Sequence, residues 1–259
     1  RSFAVSRVKS MNAITSRKNP LIAHLKRLGS DPDYRREKGE FLCDGEKLLA
    51  DAVASGAEVV TILTEREELP FKIPRASVYH VTRSVMEAAS PLKTPQDILF
   101  TCKMPRLQET EADFAVLLDG VQDPGNLGTI LRTAAAFGVP LVLLTGGCAD
   151  PYNPKTVRAT MGAVFRQPVR RVTLEELRDM KARGVPLYGA ALEAGSADIR
   201  DLRLERGVLA IGSEGRGLSR EVLDLCDRTV IIPMRPGTES LNAATAAAIL
   251  MWEARRDRL

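Results

Sequence analysis

Histidine is nearly missing from this chain of 259 residues: His24 and His80 are the only two. A Ser-His-Asp hydrolase or a multi-histidine metal site is a poor reading of such a sequence, and no metal is called for. Cysteine is scarce too. Cys43, Cys102, Cys148 and Cys226 stand far apart with no C-x-x-C pair, which excludes zinc ribbons and thioredoxin-type redox sites; Cys43 and Cys148 read as buried small residues rather than reactive thiols. No stretch approaches the roughly 20 apolar residues that span a bilayer. Nothing resembles the apolar segment of a signal peptide. G-x-x-x-x-G-K-[ST] occurs nowhere, and no G-x-G-x-x-G opens a helix, so nucleotide and dinucleotide sites lack their usual signature. These absences together read as a reduced, soluble, cytoplasmic protein with no membrane partner.

What is present describes a globular chain. Hydrophobic residues make up 44%, charged residues 27%, and mean hydropathy is -0.10. The length suits two ordinary domains and can bury roughly three-quarters of the unfolded surface. Net charge is only +4, but residues 1–30 hold seven Lys/Arg and no Asp/Glu. A basic arm of that kind attracts polyanions through counterion release. The chain begins with Arg and Met11 reads as a natural start, so residues 1–10 are expected to be a disordered or non-native arm.

Hydrophobic patterning divides the rest. A first helix is expected over 20–28, capped by Asn19, with Leu21, Leu25 and Leu28 on one face and Gly29 as terminator. Strands are expected at Phe41–Cys43, Val59–Leu63, Val78–Val81 and Leu99–Lys103, with a helix from about Leu48 to Gly56, forming a small α/β unit over 11–103. The polar stretch 104–112 reads as a linker. Beyond it, 113–259 alternates more strongly, with strands at Phe114–Leu118, Pro140–Leu144, Val185–Tyr188, Gly207–Ile211 and Thr229–Ile232. Helices lie between them, one starting at Asn126, one behind a Thr173/Glu176 capping box, one at Ser219. Repeated β–α units with apolar strands imply a parallel sheet covered on both faces, whose ligands sit beyond the strands' carboxyl ends.

Three segments lie where a strand has just ended. In Asp119-Gly-Val-Gln-Asp-Pro-Gly-Asn-Leu-Gly-Thr-Ile-Leu-Arg132, Gly125 and Gly128 permit close backbone approach and Asn126 sits where a helix presents free N–H groups. In Ile211-Gly-Ser-Glu-Gly-Arg-Gly-Leu-Ser219, glycines alternate with Ser213, Glu214 and Arg216, giving a loop able to wrap a ligand. From Ile231 to Leu250 a strand ends at Pro233, a loop holds Pro236 and Gly237, and Ser240 or a neighbour caps an Ala-rich helix that is buried or at an interface. Read singly, each is also an ordinary βα loop, a flexible turn or a capped core helix.

Together, in this order and spacing over about 113–255, the segments resemble the SpoU/TrmH branch of the SPOUT RNA methyltransferases. N-x-G-x-I-x-R is matched by Asn126, Gly128, Ile130 and Arg132; the glycine-rich motif by Gly212, Glu214, Gly215 and Gly217; and I-P-M-x(n)-S-L-N by Ile232, Pro233, Met234, Ser240, Leu241 and Asn242. More loosely, 11–103, with Gly39-Glu-Phe-Leu-Cys-Asp-Gly-Glu-Lys47, is similar to the ribosomal-protein-like α/β domain with which many members bind RNA substrate.

The resemblance implies a C-terminal trefoil knot forming a pocket for S-adenosyl-L-methionine, and a homodimer through the C-terminal domain. It implies that Gly212, Ile232 and Leu241 contact the cofactor and that Asn126, Arg132, Glu214, Ser240 and Asn242 form the reaction centre. The activity implied is methylation of a ribose 2′-hydroxyl in structured RNA, rRNA being favoured over tRNA by the two-domain layout; a self-protecting resistance methylase shares this architecture. A guanidinium is protonated at ordinary pH, so the role expected of Arg132 is to bind the phosphate beside the target ribose and favour the alkoxide. Two alternatives remain: a non-catalytic RNA-binding or assembly protein retaining the fold, and a Rossmann-type oxidoreductase or class I methyltransferase, which fails on the missing glycine fingerprint.

Overall fold

The computed structural model describes residues 6–7, 12–70, 72–105, 112–235, 237 and 240–259. Most of the expected arm, Met11, linker residues 106–111 and Pro236 of the third segment lie outside the described residues. Contacts divide the chain into two compact units, Arg1–Arg106 with Tyr152–Phe165, and Leu107–Pro151 with Arg166–Leu259.

Unit 1 begins with β1 (Ser6–Arg7) and β2 (Ala13–Ile14), then α1 (Pro20–Ser30), α2 (Pro32–Lys38), β3 (Glu40–Asp44), α3 (Glu46–Ala54), β4 (Val59–Thr64), β5 (Glu68–Leu69), β6 (Ser77–Val81), α4 (Arg83–Ala89) and β7 (Ile98–Lys103). Its main sheet runs β2-β6-β4-β7-β3, parallel where β4 meets β6 and antiparallel on both sides of β7. β1 pairs separately with β5. One cluster of buried side chains includes Leu49 of α3, Ile62 and Phe100; another joins Leu25 of α1 and Val85 of α4 to Leu42 and Leu99.

Asn19 does cap α1, its side chain accepting from the Leu21 N–H. Two details differ from expectation. The buried face is Ile22, Leu25 and Leu28 rather than one led by Leu21. Nor does Gly29 end the helix: Asp31 does so, its N–H bonded to the Arg27 carbonyl and its own side chain capping α2. A Cβ at Gly29 would meet Pro91 at 3.4 Å, an ordinary contact, so the helix runs through this glycine without needing it there.

Unit 2 starts with β8 (Phe114–Asp119), α5 (Pro124–Ala136) and β9 (Leu141–Leu144). The chain then contributes Tyr152–Phe165, with α6 (Pro154–Ala159), to unit 1, where Val157, Val164 and Phe165 are buried and Tyr152 stacks 4.9 Å from Phe41. It returns through β10 (Val169–Arg171), α7 (Leu174–Ala182), β11 (Leu187–Ala190), β12 (Ala197–Asp198), β13 (Gly207–Gly212), α8 (Arg220–Leu223), β14 (Arg228–Ile231) and α9 (Ala243–Arg255). The seven strands lie in the order β10-β9-β8-β13-β11-β14-β12, and every pairing is parallel. This is the α/β parallel sheet the sequence implies. Residues of α5 and α9 are buried with one set of strand residues, those of α7 and α8 with another.

The Thr173/Glu176 capping box and the Ser219 cap are present. β11 starts two residues later than the apolar run suggests. Val185 spends its N–H on the Met180 carbonyl that closes α7, and Pro186 has none to offer. α5 begins at Pro124, not Asn126, because Asp123 is the cap. Its carboxylate takes the Asn126 N–H at 2.7 Å, so that N–H is not free for a ligand.

Candidate functional site

The carboxyl ends of β8, β13 and β14 carry the segments singled out above, and a parallel sheet brings such ends to one edge. The loop after β13 is a tight turn rather than a flexible one. Ser213 and Gly217 exchange both backbone hydrogen bonds at 3.0 Å, and Gly215 and Gly217 adopt φ of +76° and +67°. This fold-back brings Gly217 against Gly212, where a Cβ would lie 2.0 Å from the Gly217 carbonyl carbon. Only glycine fits there.

The turn presents Glu214 to the start of α9. One carboxylate oxygen, Oε1, accepts from Asn126 Nδ2 at 2.9 Å, from the Ala243 N–H at 3.1 Å, and from Asn242 Nδ2. Asn242 Nδ2 also donates to Asn126 Oδ1 at 3.1 Å, while its own Oδ1 caps α9 by accepting from the N–H groups of Ala244 and Thr245. Of Ser240 and its neighbours, Asn242 is therefore the cap. A negative charge at the amino end of a 13-residue helix is favoured by the helix dipole. Residues 88 and 116 positions apart in sequence thus share one hydrogen-bonded cluster.

Beside it lies a cavity of about 490 Å³, within the range of small-molecule sites. Gly212, Ile232 and Leu241 line it, as do Glu214 and Ser240. Ile211, Val230 and Leu250 supply apolar wall, and the segment Ala190–Glu193 closes one side with Leu192, 70% exposed. Apolar walls with backbone and a few polar groups suit a nucleoside carrying a short polar tail. The residues present fit S-adenosylmethionine.

Two expected members stand apart from the cluster. Arg132 is exposed on the same stripe of α5 as Gly125 and Thr129, and makes no hydrogen bond or ion pair with a described residue. Ser240 lines the cavity but bonds to none of the described residues. Two features were not picked out from sequence. Asp119, buried at the end of β8, accepts from the Ser219 N–H at 2.7 Å and the Thr145 hydroxyl at 2.8 Å, tying the glycine-rich loop's far end to β8 and β9. An acidic residue ending an apolar strand was its signal. Ala190–Glu193 carried none.

Among the described residues no His/Cys/Asp/Glu cluster could hold a metal ion, and no helix is long and apolar enough to cross a membrane. All four cysteines are free. Burial pushes the thiols of buried Cys43 and Cys148 above their ordinary value and that of half-buried Cys226 to about 11.

Comparison with known proteins agrees with this geometry. A model of the SpoU rRNA Methylase family matches residues 113–252, and one of the MRM3-like substrate binding domain matches residues 19–99. The chain is 37% identical over 248 residues to the 23S rRNA (guanosine(2553)-2′-O)-methyltransferase RlmP of Bacillus subtilis, covering 95% of this chain and 100% of that protein. It is 32% identical to the 23S rRNA (uridine(2479)-2′-O)-methyltransferase of Streptomyces viridochromogenes, over 98% of this chain and 95% of the other. The AdoMet-bound rRNA methyltransferase of Sinorhizobium meliloti superposes with a TM-score of 0.81 at 32% identity, covering 95% of this chain and 98% of that one. Three motifs joined in one cluster, a cavity of the right size and relatives matched along nearly their whole length lead to one assignment: the chain belongs to the SpoU rRNA methylase family.

Proposed function

We propose that this protein transfers a methyl group from S-adenosylmethionine to a ribose 2′-hydroxyl of rRNA, with unit 1 binding the RNA. The observation that carries the reading is the Glu214 cluster, which joins all three motifs beside the cavity.

S-adenosylmethionine, when bound, supplies an electrophilic methyl group on a positively charged sulfur. The chain's own residues do the rest. Gly212, Ile232 and Leu241 hold the cofactor, largely through backbone and apolar contact. Glu214 locks the turn to α9 and fixes the side-chain amides of Asn126 and Asn242, and Asn126 and Ser240 orient ribose and loop. Arg132, unpaired with any described residue, binds the phosphate beside the target ribose and stabilises negative charge developing on its oxygen. Positioning of this kind lowers a barrier by several kcal/mol.

We further propose that the C-terminal segment is threaded as a trefoil knot and that two copies pair through unit 2 in the cytoplasm. The strand order supports the threading: β13 lies between β8 and β11, and the chain leaving β14 beyond them returns so that α9 packs with α5. Trp252, 46% exposed on α9 and edge-on to Phe137 at 5.5 Å, supports the pairing.

The test is transfer of labelled methyl to unmodified rRNA and tRNA by wild type and Arg132→Ala in parallel. The expected outcome is label on a ribose 2′-oxygen of rRNA, reduced on the order of 10²–10³-fold in the variant with RNA binding retained. Absence of both transfer and cofactor binding would overturn the reading in favour of the non-catalytic one.

A further inference from the structure

In unit 1, α1 and α2 meet at a corner where one aromatic ring is held between cations. The Arg27 guanidinium lies 3.9 Å from the centroid of the Tyr34 ring, and the Lys38 ammonium 5.4 Å. The ring is tied at its far end, where its hydroxyl shares a 2.9 Å hydrogen bond with His24 Nδ1. The buried Glu40 carboxylate lies 3.6 Å from His24 Nε2, and Lys103 meets it at 3.3 Å. Asp31 fixes the other side, accepting from the Tyr34 N–H at 3.0 Å and the Arg27 guanidinium at 3.2 Å. Those two bonds hold its carboxyl below the ordinary value.

Core packing accounts for Tyr34, which lies against the buried cluster of α1 and α4, but not for Arg27. α1 buries Ile22, Leu25 and Leu28, and Arg27 points the other way with its side chain 59% exposed. The guanidinium carbon lies over the Tyr34 ring while most of the side chain stays in solvent. Residues 12–30 include no Asp or Glu, and Arg17, Lys18 and Lys26 are exposed without an ion pair to any described residue. A flat, exposed guanidinium, held to Tyr34 and Asp31 among cations that pair with no described residue, is suited to an RNA strand. Unstacked bases lie on arginine planes, and the surrounding cations meet phosphates. Because the plane is already fixed, little rotamer freedom remains to be lost on binding.

We propose that this α1–α2 corner is a stacking platform for an unpaired base of the RNA substrate, with the base on the outer face of Arg27 and flanking phosphates at Arg17, Lys18 and Lys26. It rests on the rRNA methyltransferase reading and assigns to unit 1 the residues that hold the substrate.

The test uses the full chain and unmodified 23S rRNA fragments, measuring RNA affinity by filter binding, kcat and KM for methyl transfer, cofactor affinity and melting temperature. Arg27→Lys and Arg27→Ala are expected to weaken RNA binding and raise KM for RNA about tenfold, with kcat and cofactor affinity unchanged. Lys26→Ala is expected to reduce the slope of log affinity against log salt by roughly one. Arg27→Lys decides the matter because it keeps the charge and its pairing with Asp31 while losing the plane. A lysine variant of wild-type affinity and KM overturns the platform and leaves the methyltransferase reading standing. Wild type that binds RNA but transfers nothing overturns the enzymatic reading, and the binding comparison still decides the corner. Wild type that binds no RNA overturns both.

Discussion

Glu214 meets three N–H donors through one oxygen, and no cation pairs with it among the described residues. Glu214→Gln keeps the shape but removes the charge from the start of α9 and puts an amide among donors. Charge-assisted hydrogen bonds contribute roughly 1.5–3 kcal/mol each to the folded state, so a lower melting temperature is expected together with a fall in kcat/KM of at least tenfold in the methyl-transfer assay. Asp44 gives a prediction of opposite sense. Burial raises its carboxyl pKa, the effect of desolvation outweighing the hydrogen bond from the Gln96 N–H, and Oδ2 has no partner in the described structure. For an acid whose folded pKa lies above its unfolded one, stability falls as pH rises through that window and stays lower above it. Asp44→Asn is therefore expected to raise the melting temperature at pH 7, the gain vanishing as pH falls below the ordinary carboxylate range; equal melting curves at pH 7 would refute it. At this scale, Asn126, Glu214 and Asn242 were reached through the resemblance of three ordered motifs to a known family, since each segment alone also reads as an ordinary loop or cap. Asp119 escaped notice because an acid ending a strand is also a common helix or turn cap.

The turn after β13 is the element on which the cavity depends. Gly212→Ala would set a methyl group inside the Gly217 backbone, and backbone cannot rotate away as a side chain can. The turn must open, so cofactor affinity measured by calorimetry is expected to drop beyond detection while the far-ultraviolet circular dichroism persists. Helices with strong caps were readable from the sequence, the Thr173/Glu176 box most clearly. α2 and α4, seven residues each, span too few turns for an apolar period to show. The boundaries missed at α5 and β11 have a common cause. Each was set by where a single N–H went, to the Asp123 carboxylate in one case and the Met180 carbonyl in the other. Hydropathy carries no record of that choice.

Across the whole molecule, the alternation of strands and helices announced the parallel sheet of unit 2 and the α/β character of unit 1. It gave no hint that Tyr152–Phe165 belongs to unit 1. α6 has only six residues, and the apolar residues around it read as well for one core as for another. Phe165 packs 6.1 Å from Phe41 and is 8% exposed. Phe165→Ala is expected to cost about 3–5 kcal/mol, seen in scanning calorimetry as a lower transition for unit 1; an unshifted thermogram would remove the segment from that core.

That segment also bears on how such proteins can be recombined. Unit 1 is encoded in two stretches, one of them inside the 113–252 span that matches the methylase family. A chimaera that exchanges everything before residue 107 would carry Phe41 into the new protein and leave behind Tyr152, Val157 and Phe165, the side chains it packs with. An exchange that keeps the donor core whole needs three junctions, at 106/107, 151/152 and 165/166. Inheritance of the N-terminal half therefore constrains a stretch of the transferase half, and substitutions in Tyr152–Phe165 should track those in β3 and α3 rather than those around the Glu214 cluster.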